Sequence, residues 1–263
     1  MRNSGLDEAI RAAGGVGALA RKIGISQPSV SNWSNVPAER VLSVEAATGV
    51  NRAILRPDLY AGHADIDVEA GAEIDELDAA RSLEYALLAV LLARAPNAAL
   101  LDRLSKLRGD PSPLGLAHAA LAEAASRTTA ERVEREFFDL FIGLGRGELL
   151  PYGSYYLTGF LHERPLARLR EHLAQLGIER AAGQAEPEDH AAILCEIMAG
   201  LVSRRFQAPA GSDREMFDAH LAPWIGRFFA DVERAEASSF YRHVGTLGRT
   251  FVEIETEAFA LPS

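Results

Sequence analysis

Cysteine occurs once in the 263 residues, at Cys195, which excludes an internal disulfide framework and any cluster of several thiolates around a metal. Long apolar runs are also missing. The longest, Tyr85–Ala93, has nine residues, about half of what crosses a bilayer. Asp7 and Glu8 arrive before any apolar stretch able to act as a signal peptide. β-Branched residues are scarce: Val, Ile and Thr together number 32, against 78 for Ala plus Leu. Ala and Leu enter a helix at little cost, whereas β-branched side chains favour strands. No stretch alternates polar and apolar residues long enough to demand a sheet. The expected fold class is all-α, in a cytoplasmic protein with no membrane partner.

Charge is plentiful but unevenly spread. The chain has a net charge of −10. Residues 1–62 hold seven Lys/Arg and five acids, a net of +2, which leaves −12 for the remainder. Between them, Gly62–Ala80 carries seven acids and no Lys or Arg, the composition of a solvated linker. Its end, Asp75–Asp78, reads equally as the acidic first turn of a following helix. The expected organisation is a small domain over 1–62, a linker over 63–80 and a larger domain over 81–263.

In the first domain, Leu6–Ala13 reads as a short helix ended by Gly14-Gly15, and Val16–Ile23 as a second. Gly24 supplies a turn where a left-handed backbone meets no Cβ clash. Ser26 is placed to cap a third helix, Gln27–Trp33. Helix, glycine turn and capped short helix is the spacing of a helix-turn-helix. Gln27, Ser29, Ser31 and Asn32 are short polar groups suited to base edges, and Arg21, Lys22 and Arg40 are suited to phosphates. A net of +2 is thin for binding double-stranded DNA, so a protein-interaction module of the same shape is the alternative. The segments GGVGALARKIGISQPSVSNW and VPAERVLSVEAATGVNRAILRPDLY resemble the Cro-like, YdaS-type family of antitoxins and repressors. That resemblance implies base reading by Gln27, Ser29 and Asn32, and DNA binding as a homodimer.

From Arg81 onward the pattern predicts seven to nine helices, the first with Leu83, Leu87, Val90 and Leu91 on its buried stripe. Glu131–Ile142 is an amphipathic helix ending at Gly143, Pro187–Phe206 and Asp213–Ala235 follow, and Ser238–Phe259 closes the bundle. Gly143–Phe160 reads as an irregular loop. Its G-x-G-x-G lacks the preceding strand and following Lys-Ser/Thr of a phosphate loop. Its aromatics Tyr152, Tyr155, Tyr156 and Phe160 either plug the bundle or line a groove. A second segment, Glu186-Pro187-Glu188-Asp189-His190, reads as a well-started helix whose acids complement the dipole. Alternatively its Asp189 and His190 flank an apolar groove that holds a cationic peptide. Glu186 and His190 lack a second ligand pair, so no metal site is expected. The remaining histidines, His63, His118, His172, His220 and His243, show no ligand spacing, and Cys195 reads as a packed thiol.

EREFFDLFIGLGRGELLPYGSYYLTGFL, then EPEDH, then HLAPWIGRFF resemble the TorD/DmsD family of cytoplasmic chaperones. The resemblance spans about residues 80–260. It implies an all-helical, non-enzymatic domain that binds the twin-arginine signal peptide of a molybdenum-containing redox enzyme until its cofactor is inserted. Formate dehydrogenase or a related oxidoreductase is the implied kind of client. Carried over by position, Leu140, Phe141, Pro151, Tyr152, Asp189 and His190 match the family's peptide-recognition residues, and Ser154 and Glu186 match its motifs. Tyr152 stands where some relatives carry Trp. No resident cofactor is expected, and the residues leave open whether the molybdenum cofactor or a guanine nucleotide touches the chain. The two resemblances together imply a maturation chaperone with an appended DNA-binding domain. The alternative is a transcriptional regulator whose helical domain senses a client peptide or ligand.

Overall fold

The structure is a computed structural model that describes residues 4–37, 40–50, 52–56, 75–180 and 185–261. The chain divides into two compact units, residues 1–73 and 74–263, and every named element among the described residues is helical. His63 and the acidic stretch 62–74 lie outside the described residues.

The N-terminal unit contains α1 (Ser4–Ala13), α2 (Val16–Lys22), α3 (Gln27–Ser31), α4 (Val41–Thr48) and α5 (Arg52–Leu55). Leu6, Ala9, Leu19, Ala20, Val30, Val36, Val41, Val44 and Leu55 form its core, with Ile23, Ile25 and Trp33 packed on the edge. The turn between α2 and α3 depends on Gly24, whose φ is 71°, in the left-handed region. Ser26 caps α3, its Oγ accepting from the Ser29 N–H at 3.4 Å and lying 2.7 Å from the Ser29 hydroxyl. The third helix is shorter than expected: it stops at Ser31, and Trp33 turns back onto the core.

The C-terminal unit begins inside the acidic stretch. Asp75 caps α6 (Glu76–Ala93), accepting from the Asp78 N–H at 2.7 Å, so Asp75–Asp78 form a helix start rather than linker. The apolar stripe expected on this helix is displaced. Leu83 and Val90 face solvent, whereas Glu84, Tyr85, Leu88, Leu91 and Leu92 are buried. The reason lies in its partners. Helix α6 packs along an almost wholly buried helix, Ala191–Val202, and its Tyr85 hydroxyl donates to the buried Glu255 at 2.9 Å. Arg81 makes a two-point contact with the same carboxylate, at 2.8 and 2.9 Å, and also reaches Asp78 and Asp213.

The elements that follow are α7 (Ala98–Leu104), α8 (Pro113–Ser126), α9 (Ala130–Phe137), α10 (Gly153–Thr158), α11 (Arg164–Gln175), α12 (Ala191–Val202), α13 (Ser212–Met216), α14 (Ile225–Arg234) and α15 (Tyr241–Ala260). Ten helices are therefore described from Glu76 on, more than expected. Gly143–Phe160 contains α10, and the expected Asp213–Ala235 helix is broken at residues 222–224. Helices α9 and α13 each run on into a π-helical turn, Phe138–Ile142 and Phe217–Leu221. Trp224, Tyr85, Tyr241, Phe217, Phe228 and Phe229 fill the core. Helices α14 and α15 approach closely because Gly245 and Gly248 carry no side chain; a Cβ on Gly245 would lie 2.6 Å from the Glu233 nitrogen.

Two carboxylates fasten the α14–α15 connection. Glu136 accepts from the N–H groups of Ser239, Phe240 and Tyr241 at 2.7, 3.0 and 2.6 Å. Glu148 accepts from those of Glu236 and Ala237 at 2.8 and 3.1 Å. In this way α9 and the loop after it are tied to the start of the last helix through main-chain donors.

Candidate functional site

The first π-helical turn shapes the loop that follows it. A π turn frees carbonyls from the α-helical ladder, and here those of Asp139 and Leu140 accept from Glu148 and Leu149 at 3.1 and 2.8 Å. The loop thus folds back on its own helix. Leu140 has no exposed surface and anchors this fold, so its side chain packs inside rather than lining a groove. Phe141 is partly buried among Phe137, Phe228 and Tyr241. Of the loop aromatics, Tyr156 takes the plugging role. Tyr156 packs on Trp224 and Phe228 and donates to Asp231 at 3.0 Å, while Phe160 is exposed.

Beyond the loop, the two motifs come together. Tyr152 and His190 pair as an isolated antiparallel bridge, with Gly153 N–H donating to the Asp189 carbonyl at 2.9 Å and Ala191 N–H to the Pro151 carbonyl at 2.8 Å. This corrects the reading of EPEDH as a helix start. Helix α12 begins only at Ala191, and His190 is its cap, Nδ1 accepting from the Ala192 N–H at 3.1 Å. Glu186 and His190 therefore do not share a helix face. The acids precede the helix because Pro187–His190 form a turn, closed by the His190 N–H on the Pro187 carbonyl at 3.1 Å, and His190 itself is extended in the bridge to Tyr152.

Asp189 is the centre of the arrangement. Its side chain is 3% exposed. Oδ2 accepts from the Ser154 N–H at 2.8 Å and so caps α10, whose own cap residue, Tyr152, offers no acceptor. Oδ1 is buried with no hydrogen-bond partner among the described residues, and so is the Ser154 hydroxyl. Such atoms are rare and costly inside a protein. Tyr152 stacks edge-on against His190 at 5.1 Å between centroids and donates its hydroxyl to Glu186. Burial, then that hydrogen bond, pushes the Tyr152 phenol well above its ordinary value. Burial holds His190 below the ordinary imidazole range, which favours the neutral ring. Arg170 grips the neighbouring Glu188 at 2.8 Å.

Asp189 also lines a cavity of about 500 Å³ whose walls include Leu157, Leu169, Leu194, His172 and His220. His172 Nδ1 and His220 Nε2 lie 3.0 Å apart, and burial followed by the charge of His172 lowers His220 to about 4. No sequence signal marked this pair, since 48 residues separate its members. Behind the cavity Trp224 donates its indole N–H to the His220 carbonyl at 2.7 Å. A side chain on Gly153 would meet that indole at about 3.0 Å. Of the expected site residues, the structure brings Pro151, Tyr152, Ser154, Glu186, Asp189 and His190 together, with Leu140 and Phe141 at the base of the loop. Cys195 is buried and its thiol pushed up to about 12. Among the described residues no group of three or more His, Cys, Asp or Glu side chains could hold a metal ion.

In the N-terminal unit, Gln27, Ser29, Ser31 and Asn32 all lie on the exposed surface of the α3 segment. Ser29 is engaged in the helix cap, and Lys22 Nζ donates to the Ala47 carbonyl at 3.3 Å near the end of α4. Arg40 is exposed at the start of α4.

Comparison with known proteins parallels this division. Residues 108–230 match the family model described as nitrate reductase delta subunit, and residues 6–64 match the one described as bacterial toxin YdaS. Chaperone protein TorD of Aliivibrio fischeri is 28% identical over 135 residues, 48% of this chain and 63% of that one. Chaperone protein TorD of Vibrio cholerae serotype O1 is 27% identical over 144 residues, 51% of this chain and 66% of that one. The chain spans a little under two thirds of the length of these curated relatives. Among solved structures, a candidate redox enzyme maturation protein from Archaeoglobus fulgidus aligns with a TM-score of 0.44 and 20% identity, over 66% of this chain and 93% of that one. The C-terminal unit is thus similar to TorD chaperones and to the nitrate reductase delta subunit family, and the N-terminal unit to the YdaS family.

Proposed function

We propose that this chain is a cytoplasmic maturation chaperone that binds the twin-arginine signal peptide of a molybdenum-containing redox enzyme and holds it while the cofactor is inserted. One observation carries the reading. Two motifs far apart in sequence meet at the Tyr152–His190 bridge, where a buried carboxylate with an unpartnered oxygen stands beside an aromatic loop. A signal peptide with a basic end and an apolar middle calls for that combination of negative charge and apolar surface. Exposed Phe138, Ile142, Leu144, Leu157 and Phe160 add apolar surface in the same part of the chain. No helix among the described residues is long and apolar enough to cross a membrane. The mechanism is binding: Tyr152 and the loop bury apolar side chains, and Asp189 offers its charge to the basic end. Titrating a twin-arginine leader peptide against the parent protein, Asp189→Ala and Tyr152→Ala tests the assignment. Equal affinity in all three would refute it.

A second reading rests on the exposure of Gln27, Ser31 and Asn32 around a well-capped α3. In it the N-terminal unit binds double-stranded DNA, as a homodimer, and client supply is reported to a promoter. Gel shifts with the parent, Gln27→Ala and Asn32→Ala decide this. Binding indifferent to DNA sequence in the parent would end it.

A further inference from the structure

We propose that α6 is a dimerisation helix: its exposed face, centred on Leu83 and Leu87, pairs antiparallel with α6 of a second copy of this chain. The proposal does not rest on the peptide-binding reading, and it names the surface through which the homodimer of the DNA-binding reading would form.

The face is apolar and open. Leu83 is 72% exposed and Val90 42%, although both lie well inside an 18-residue helix, and Leu87 is half-buried beside them. Ala80, Leu83, Leu87 and Val90 follow one another at steps of three, four and three residues. That is the a/d repeat of a coiled-coil seam, and no charged residue interrupts it between its ends. One flank of the seam is committed to the protein's own core, through Leu91 and through Glu84, which meets His118 at 2.9 Å. On the other flank Ala79, Ala86 and Ala93 recur every seven residues, and their small side chains leave room for a second helix to approach closely.

The seam is complementary to itself. In an antiparallel pair about a two-fold axis, a residue before the axis faces the residue equally far beyond it. With the axis level with Tyr85, midway along the helix, Leu83 faces the second copy's Leu87, and Ala80 faces its Val90, small against large. Each a position then meets a d position, so knobs on one helix enter holes on the other. The same register sets Glu76, at the start of the helix, against the second copy's Arg94, just past its end. Both side chains are exposed, and neither makes an ion pair among the described residues. The two-fold repeats this match at the opposite end. A parallel pair would set Glu76 against Glu76 and Arg94 against Arg94, so charge selects the antiparallel sense. Association orders no new helix, because Tyr85, Leu88 and Leu92 already hold α6 on its buried side. Its length of about 27 Å gives a contact near the low end of specific interfaces, and a roughly micromolar dimer is expected.

The test is analytical ultracentrifugation of the full chain from low micromolar to a few hundred micromolar concentrations. The parent is expected to pass from monomer to dimer across that range. Leu83→Lys, at an exposed position, is expected to weaken the dimer by about tenfold or more while leaving Tm unchanged. Glu76→Lys and Arg94→Glu each bring like charges together at both ends and should weaken it several-fold. Mixing these two variants restores opposite charges at both ends, so the heterodimer should recover parental affinity. A parent that stays monomeric throughout overturns the proposal, as it would if the N-terminal unit covered this face. A dimer that Leu83→Lys leaves unchanged overturns it too, since that dimer forms through another surface. A mixture that associates no better than its components overturns the antiparallel pairing. No outcome depends on a peptide or on DNA, so each functional reading stands or falls apart from this one.

Discussion

Replacing Asp189 by asparagine separates what the carboxylate does for the fold from what it does for a ligand. The isosteric amide keeps one oxygen for the Ser154 N–H, now at 2.8 Å, and exchanges the unpartnered oxygen for an NH2 group. Two effects follow. A charge-assisted hydrogen bond becomes neutral, a loss of about 1 kcal/mol, while one unpaired buried group, the oxygen, is exchanged for another, the NH2, each costing about 1–3 kcal/mol. The net change in stability is expected within about 1 kcal/mol of zero, a shift of no more than about 2–4 °C in Tm for a domain of this size. Peptide binding is expected to respond differently. Truncating one partner of a desolvated charge pair costs about 2–5 kcal/mol, and the low end suits a cavity open at its mouth. Affinity for a twin-arginine peptide should then fall by about 30-fold or more. Thermal unfolding and peptide titration on the same preparation read both quantities. An Asn variant that loses more than about 5 °C and binds normally would show Asp189 to be only the cap of α10.

Other perturbations address the frame around the site. Gly245→Ala gains about 1 kcal/mol of helix propensity, but its Cβ would stand 2.6 and 2.8 Å from main-chain atoms of α14. Overpacking of about 1–3 kcal/mol or more should prevail, and an unchanged urea midpoint would contradict the close approach. Glu136→Gln leaves one acceptor for three N–H donors and should cost about 1–3 kcal/mol; a loss below about 0.3 kcal/mol in urea unfolding would rule the clasp out. His118 is raised by its hydrogen bond to Glu84, so its contribution is complete below pH ~6.5 and is lost as pH rises through the raised value. His118→Gln should flatten that decline in a Tm-against-pH series. His220, lowered by burial to about 4, acts in the opposite sense: its contribution is present above pH ~6.5 and is lost as pH falls toward 4. His220→Leu should therefore soften the acid limb, and an unchanged limb would argue against a buried neutral ring.

The class of fold and the N-terminal unit were legible because local chemistry decided them. Gly24 and Ser26 produce the turn and cap wherever the rest of the chain goes. Tertiary context overrode local signals elsewhere. Leu83 and Val90 fit a helical stripe, yet α6 buries the face with Glu84 and Tyr85 because Glu255 and Arg81 complete a polar cluster there. Pro187 with three acids had the composition of a helix start, but a turn over Pro187–His190 and the pairing of His190 with Tyr152 delay the helix until Ala191. Residue identities in the site were visible in the two motifs. What joined them was not: the bridge, the orphaned oxygen of Asp189 and the meeting of His172 with His220 all require the folded chain.

The clasp made by Glu136 and Glu148 has an evolutionary side. Both carboxylates hold peptide N–H groups, so the chain there is recognised by its backbone and not by its side chains. Glu236 and Ser239 are exposed, and their side chains are free to drift without loosening the grip. Proline, usually a harmless or even stabilising guest in a surface connection, is the one residue barred from both positions, because it has no N–H to give.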